Sequence, residues 1–134
     1  MAEFQSNEVE IAVGPAKIYH YLNDFNNFSK LLPPQVTNWQ STGETCSFTV
    51  QGMADIALRI ADRSEPSFIS YAAIDDQPFA MTLNTHIRQL NNSRSNVKII
   101  LSAKLNPMLK MMASRPLQNL VNILADKLKE EMEG

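Results

Sequence analysis

The chain has 134 residues, 44% of them hydrophobic and 19% charged, with twelve Lys and Arg against fourteen Asp and Glu for a formal charge of -2. That length suits one domain spanning 1–134 that buries about two-thirds of its unfolded surface, and the composition is too apolar for a disordered segment. The basic residues are scattered singly from Lys17 to Lys129, which argues against nucleic acid as a partner, and the mild negative charge argues against electrostatic capture by an anionic membrane, leaving only transient contact through an apolar surface.

Residues 8–13 alternate, with Glu8 and Glu10 on one face and Val9, Ile11 and Val13 on the other, the pattern of a half-buried strand. Gly14-Pro15 breaks it, and Pro15 suits the first position of a helix, where its missing N–H is no loss. Ile18, Leu22 and Tyr19 share a face over the next two turns. Asn26 is the expected cap of a second short helix carrying Phe28, Leu31 and Leu32, and Pro33-Pro34 stops it.

From 36 to 105 the chain reads as antiparallel strands joined by polar turns at Ser41-Thr42-Gly43, Gly52, Ser64-Glu65-Pro66, Asp75-Asp76-Gln77-Pro78 and Asn91-Asn92-Ser93, a meander. Alternation gives the inward residues: Cys46, Phe48 and Val50; Ile56, Leu58 and Ile60; Phe79, Met81, Leu83, Thr85 and Ile87; Val97, Ile99, Leu101, Ala103 and Leu105. Asp55, Arg59, Arg88, Lys98 and Lys104 fall on the opposite face, so one side of the sheet is wet. The strand at 68–74 is apolar on both faces, and alternation does not orient it.

Asn106-Pro107 reads as an N-cap followed by a first-turn proline, opening a helix to about residue 131, on the order of 37 Å long. Its apolar residues are Met108, Leu109, Met111 and Met112 before Arg115-Pro116, and Leu117, Leu120, Val121, Leu124 and Leu128 after it. On a straight helix these stripes differ by roughly 130°, and a kink at Pro116 is the expected reason.

The order of elements and the run Val9-Glu10-Ile11-Ala12-Val13-Gly14-Pro15-Ala16-Lys17-Ile18-Tyr19-His20-Tyr21-Leu22-Asn23-Asp24 resemble the START-like, polyketide cyclase/dehydrase-like (SRPBCC) helix-grip superfamily, which also includes plant pathogenesis-related allergens. The usual opening there is a strand, a small-residue-Pro break and an amphipathic helix ending near an Asp. The resemblance covers essentially the whole chain. It implies an α+β fold in which a curved antiparallel sheet wraps a long, kinked C-terminal helix, with a cavity between them. The lining expected of such a cavity is Phe48, Val50, Ile56, Leu58, Tyr71, Phe79, Met81, Leu83 and Thr85 from the sheet, and Met108, Met112, Leu117 and Val121 from the helix. A cavity of roughly 300 Å³ or more is the expectation, the lower range for ligand sites. Met108 and Met112, four residues apart, share a face and should line it together, with Met111 nearer the rim.

Candidates for chemistry are few. His20 and His86 are too few and too isolated for a metal cluster, and both read as surface or boundary residues, His86 on the outer face. Cys46 points inward beside Phe48, where apolar surroundings make a thiol inert, and a lone cysteine excludes an internal disulfide. Asp75-Asp76 reads as a turn, since adjacent residues in an extended segment point opposite ways. Asp24 suits a capping role. No phosphate-cradling glycine loop is present, and Tyr71 is the best remaining polar group for the interior. No cofactor is expected.

Three functions remain open. The first is noncatalytic binding or carriage of an apolar small molecule such as a lipid, isoprenoid or polyketide-like compound. The second is a cyclase or dehydratase, and the third an interaction module whose interior is filled by its own side chains. Met1-Ala2-Glu3-Phe4 lacks the basic start and apolar run of a signal peptide, and no apolar stretch approaches the roughly 20 residues that span a bilayer, so a cytoplasmic location without integral membrane association is expected. Oligomeric state is left open.

Overall fold

The structure is a computed structural model, and it describes residues 1–75 and 79–134. Strands β1 (Ala2–Gln5) and β2 (Val9–Ile11) precede helix α1 (Pro15–Leu22) and a 3-10 helix (Phe25–Lys30); strands β3 (Val36–Ser41), β4 (Thr45–Val50), β5 (Ala54–Ser64), β6 (Phe68–Ala73), β7 (Met81–Asn91) and β8 (Arg94–Ala103) lead to helix α2 (Pro107–Glu133). The sheet is antiparallel, in the order β1-β8-β7-β6-β5-β4-β3, with β2 also paired to β8.

The alternation expected for the meander holds along β4, β5, β7 and β8. Cys46, Phe48, Val50, Ile56, Leu58, Met81, Leu83, Thr85, Ile87, Val97, Ile99, Leu101 and Ala103 are all buried. Register places like with like: Phe48 opposite Ile56, Leu83 opposite Leu101, and Thr85 opposite Ile99. On β6 the inward residues are Ile69 and Tyr71, both fully buried, while Phe68 is half-buried and Ile74, just past the strand, is exposed.

Strand β1 carries no strong sequence signal, being four residues with only Phe4 buried. Its pairing to the β8 edge is joined to that of β2 through Ser6, whose N–H donates to Ile99 O at 2.8 Å and whose Oγ accepts from Ile99 N–H at 2.9 Å. Helix α1 starts as expected, with Gly14 at the cap and Pro15 in the first turn. A Cβ on Gly14 would stand 2.9 Å from Asn92 O, so the glycine lets the β7–β8 turn pass close by.

Two local expectations are corrected. The cap of the second helix is Asp24, not Asn26, because the Asp24 carboxylate accepts from Asn26 N–H at 2.9 Å. The apolar stripe of α2 does not change phase at Pro116. Before the proline the inward residues are Leu109 and the fully buried Ala113, and these continue without a step into Leu117, Leu120, Val121, Leu124, Leu128 and Met132. The apparent rotation comes from the methionines, which are exposed and lie off this stripe, while the small Ala113 is buried within it. Asn106 caps the helix as expected, accepting from Leu109 N–H at 2.8 Å. Of the expected turn after β6, Asp76, Gln77 and Pro78 lie outside the described residues, and Asp75 is exposed.

Candidate functional site

Among the described residues, the interior between the sheet and α2 shows two small apolar voids and no chamber. The larger, of about 20 Å³, is lined by Phe25, Phe28, Leu32, Trp39, Cys46, Phe48, Leu58, Met81, Leu83, Leu120 and Leu124. The smaller, of about 10 Å³, lies among Leu22, Phe28, Leu31, Tyr71, Leu83, Thr85, Ile99, Leu124 and Leu128. Each holds about one water's worth of space, against the roughly 300 Å³ at which ligand sites begin. Among the described residues no cavity of the size expected from the inward alternation is open, because Phe25 and Phe28 of the 3-10 helix and Trp39 of β3 fill the space.

The filling has a defined geometry. Phe25 and Phe28 enter from the 3-10 helix with ring centroids 5.2 Å apart, and both meet Tyr71, at 4.9 Å and 5.4 Å. Trp39 stacks on Phe28 at 6.2 Å and on Phe48 at 5.7 Å. Strict alternation from the buried Val36 would send Trp39 to the wet face. Between Thr37 and Gln40, however, the register against β4 shifts, and Asn38 sits at φ 56°, left-handed backbone that Asn tolerates better than most residues. The extra residue turns Trp39 inward. Leu32 and Trp39 are the partly exposed members of the larger lining, so the void lies nearest the surface at these two residues.

Of the lining expected from sequence, Phe48, Leu58, Met81 and Leu83 border the larger void, and Tyr71, Leu83 and Thr85 the smaller. Val50, Ile56, Phe79, Leu117 and Val121 are buried in the core without bordering either. Met108 and Met112 are corrected outright: they are 72% and 55% exposed, like Met111 at 86%, and project away from the sheet. The lining that alternation did not supply comes mainly from 22–39 and from Leu120 and Leu124. Phe28 and Leu32 were legible as a helix face, and the sole tryptophan after an Asn was the one available hint of the bulge.

The interior is chemically quiet. Burial pushes the Cys46 thiol up to about 12, against a smaller lowering by a backbone hydrogen bond at Leu58, which leaves it protonated and poorly nucleophilic. Burial likewise holds the Tyr71 phenol well above its ordinary value, and its hydroxyl donates to Leu22 O at 2.6 Å, satisfying a carbonyl in the last turn of α1. His20 is exposed, with Nε2 3.5 Å from Glu65 Oε2, and His86 lies on the outer face with its ring 5.1 Å from Phe68. Among the described residues no three His, Cys, Asp or Glu are grouped to hold a metal ion, and no helix is long and apolar enough to cross a membrane.

No protein-family model matches the chain, and no curated protein matches it by sequence. Solved structures do. The chain is similar to the protein XoxI from Bacillus cereus at TM-score 0.74 and 13% identity, covering 98% of this chain and 96% of that one. It is similar to a START superfamily protein from Mycobacterium smegmatis at TM-score 0.68 and 17% identity, covering 98% and 97%. It is also similar to norcoclaurine synthase from Thalictrum flavum in complex with dopamine and hydroxybenzaldehyde, at TM-score 0.70 and 11% identity, covering 97% and 85%. The fold is the helix-grip fold of the START-like proteins.

Proposed function

We propose that the protein binds a compact apolar molecule, without reacting it, at the aromatic pocket that lies nearest the surface at Leu32 and Trp39. The observation that carries this reading is the lining of the larger void: wholly apolar side chains and one neutral thiol, walled by Phe25, Phe28, Trp39 and Phe48 and borrowed from both layers of the fold. Such a site gains affinity from area removed from water and has no polar hook for orientation. Binding requires the pocket to open, with Leu32 and Trp39 giving way, because a void of about 20 Å³ admits no ligand as it stands.

The same small void favours a second reading, an interaction module with a filled interior. Titration with a neutral apolar fluorophore such as N-phenyl-1-naphthylamine separates the two. Trp39, the only tryptophan, reports directly on the pocket. Saturable binding with a matching change in Trp39 emission, weakened by Leu83→Phe, which adds bulk at a residue bordering both voids, is the expected result. Absence of saturable binding, with Trp39 emission unaltered, sinks the ligand reading and leaves the module. Turnover of any bound compound would move the assignment to the enzyme class.

A further inference from the structure

The first third of α2 carries apolar side chains on more than one side, and only the side of Leu109 and Ala113 is covered. Leu109 and Ala113 face the sheet. Met108, Met111 and Met112 face away from it, at 72%, 86% and 55% exposure, and none of them borders the voids above. A helix apolar all round needs cover on every side, and a group of exposed large apolar side chains marks a contact surface. Charge on the helix is equally one-sided. From residue 106 to residue 125 its charged residues are Lys110 and Arg115, exposed Lys104 immediately precedes it, and the acidic residues begin at Asp126. Asp126 is eleven residues beyond Arg115, about 16 Å along the axis and further than a Debye length at physiological salt. Glu3 and Asp55, on strands, and Asp75, just past β6, also lie toward this end of the sheet, and the Asp55 carboxylate accepts from Thr49 Oγ1 at 2.7 Å.

We infer that the outward face of α2 formed by Met108, Met111 and Met112, with Arg115 within it and Lys110 about 100° around the helix from Met111 at its flank, docks the protein on the surface of an anionic phospholipid bilayer. The net charge of -2 opposes approach by the molecule as a whole, and the helix face reverses that sign locally. A bilayer fits better than a protein groove or a second copy. The methionines project from a convex helix, suited to a soft interface that yields to flexible side chains, and the adjoining cations would repel one another across a symmetric dimer but neutralise lipid phosphates. The inference does not depend on the ligand reading.

Co-sedimentation with vesicles of phosphatidylcholine, and of phosphatidylcholine mixed with phosphatidylglycerol, tests it. The full chain is expected to bind the mixed vesicles more tightly and to release as salt rises. The combined variant Met108→Ser, Met111→Ser, Met112→Ser should lose binding on the order of tenfold or more. Lys110→Gln with Arg115→Gln should lose roughly five-fold per residue. All these side chains are exposed, so circular dichroism and melting temperature should be unchanged in both variants. No vesicle binding, equal binding to the two compositions, or variants that bind like the parent overturns the inference. So does a concentration-dependent dimer abolished by the methionine variant, which would assign the face to a second copy.

Discussion

Cys46 and Tyr71 show how burial decides what a reactive residue can do. Each sits where the charged form would lose its hydration, so each is held neutral far above its ordinary value. For Cys46 the rise from 9.0 to about 12 means about a thousandfold less thiolate at any pH below both values. Alkylation by iodoacetamide at mildly alkaline pH should therefore be at least about a hundredfold slower in the native protein than in denaturant. Comparable rates in the two states would show that the pocket opens readily enough to expose the thiol. A raised thiol pKa contributes stability that is fully present below the unfolded value and is lost as pH rises from about 9 toward 12, so the residue weakens the fold only on the alkaline side. Trp39 teaches a related lesson: one residue in left-handed backbone, Asn38, decides whether an indole faces water or the pocket.

Helix α2 carries two apolar stripes, and packing chooses between them. Leu117, fully buried, should cost about 2–5 kcal/mol when cut to Ala, because the deletion opens a cavity in the core. Ala113→Leu should cost about 1–3 kcal/mol by overpacking, because Ala113 is fully buried. Met111→Ser and Met112→Ser should each stay within about 0.5 kcal/mol of the parent. Urea unfolding of the four variants checks the assignment, and a large loss for either methionine would return that residue to the core. The helix also runs through Pro116, which leaves Met112 O without its usual N–H partner on the exposed side of the axis, where water can take its place.

At the scale of the whole molecule, the end of α2 is tied back to the start of the sheet. Glu133 Oε2 accepts from Ala12 N–H at 2.9 Å and from Lys129 Nζ at 2.8 Å, while Lys129 Nζ also donates to Glu10 O at 2.5 Å. The Lys129 hydrogen bond first, and the Ala12 N–H second, hold the Glu133 carboxyl below its ordinary range. A depressed carboxylate contributes stability present above its unfolded value and lost as pH falls through the folded one. Glu133→Gln should thus lower the melting temperature slightly at neutral pH, and the difference should close as the solution is acidified below the ordinary glutamate range. A difference that persists unchanged in acid would show that the carboxylate plays no part. The group is exposed, so added salt should shrink the effect as well.

Much of the architecture was legible in the order of residues alone. Period-two alternation along 46–50, 56–60, 81–87 and 97–103, the Gly14-Pro15 break and the Asn106-Pro107 cap are local signals, each set by the steric and hydrogen-bonding demands of a few neighbouring residues, and they define the helix-grip layout. Which apolar face of α2 is covered was not local. Met108, Met111 and Met112 outweigh Leu109 and Ala113 in apolar size, yet the sheet takes the smaller pair because a long helix keeps one straight stripe against it. The pairing of β1 to β8 and the turn of Trp39 at a bulge depend on partners distant in the chain. The openness of the interior was decided last, since a void is the small difference between the space a sheet and helix enclose and the volume of side chains that enter it. Phe25, Phe28 and Trp39, from outside the inward-facing set, reduce it to about 20 Å³.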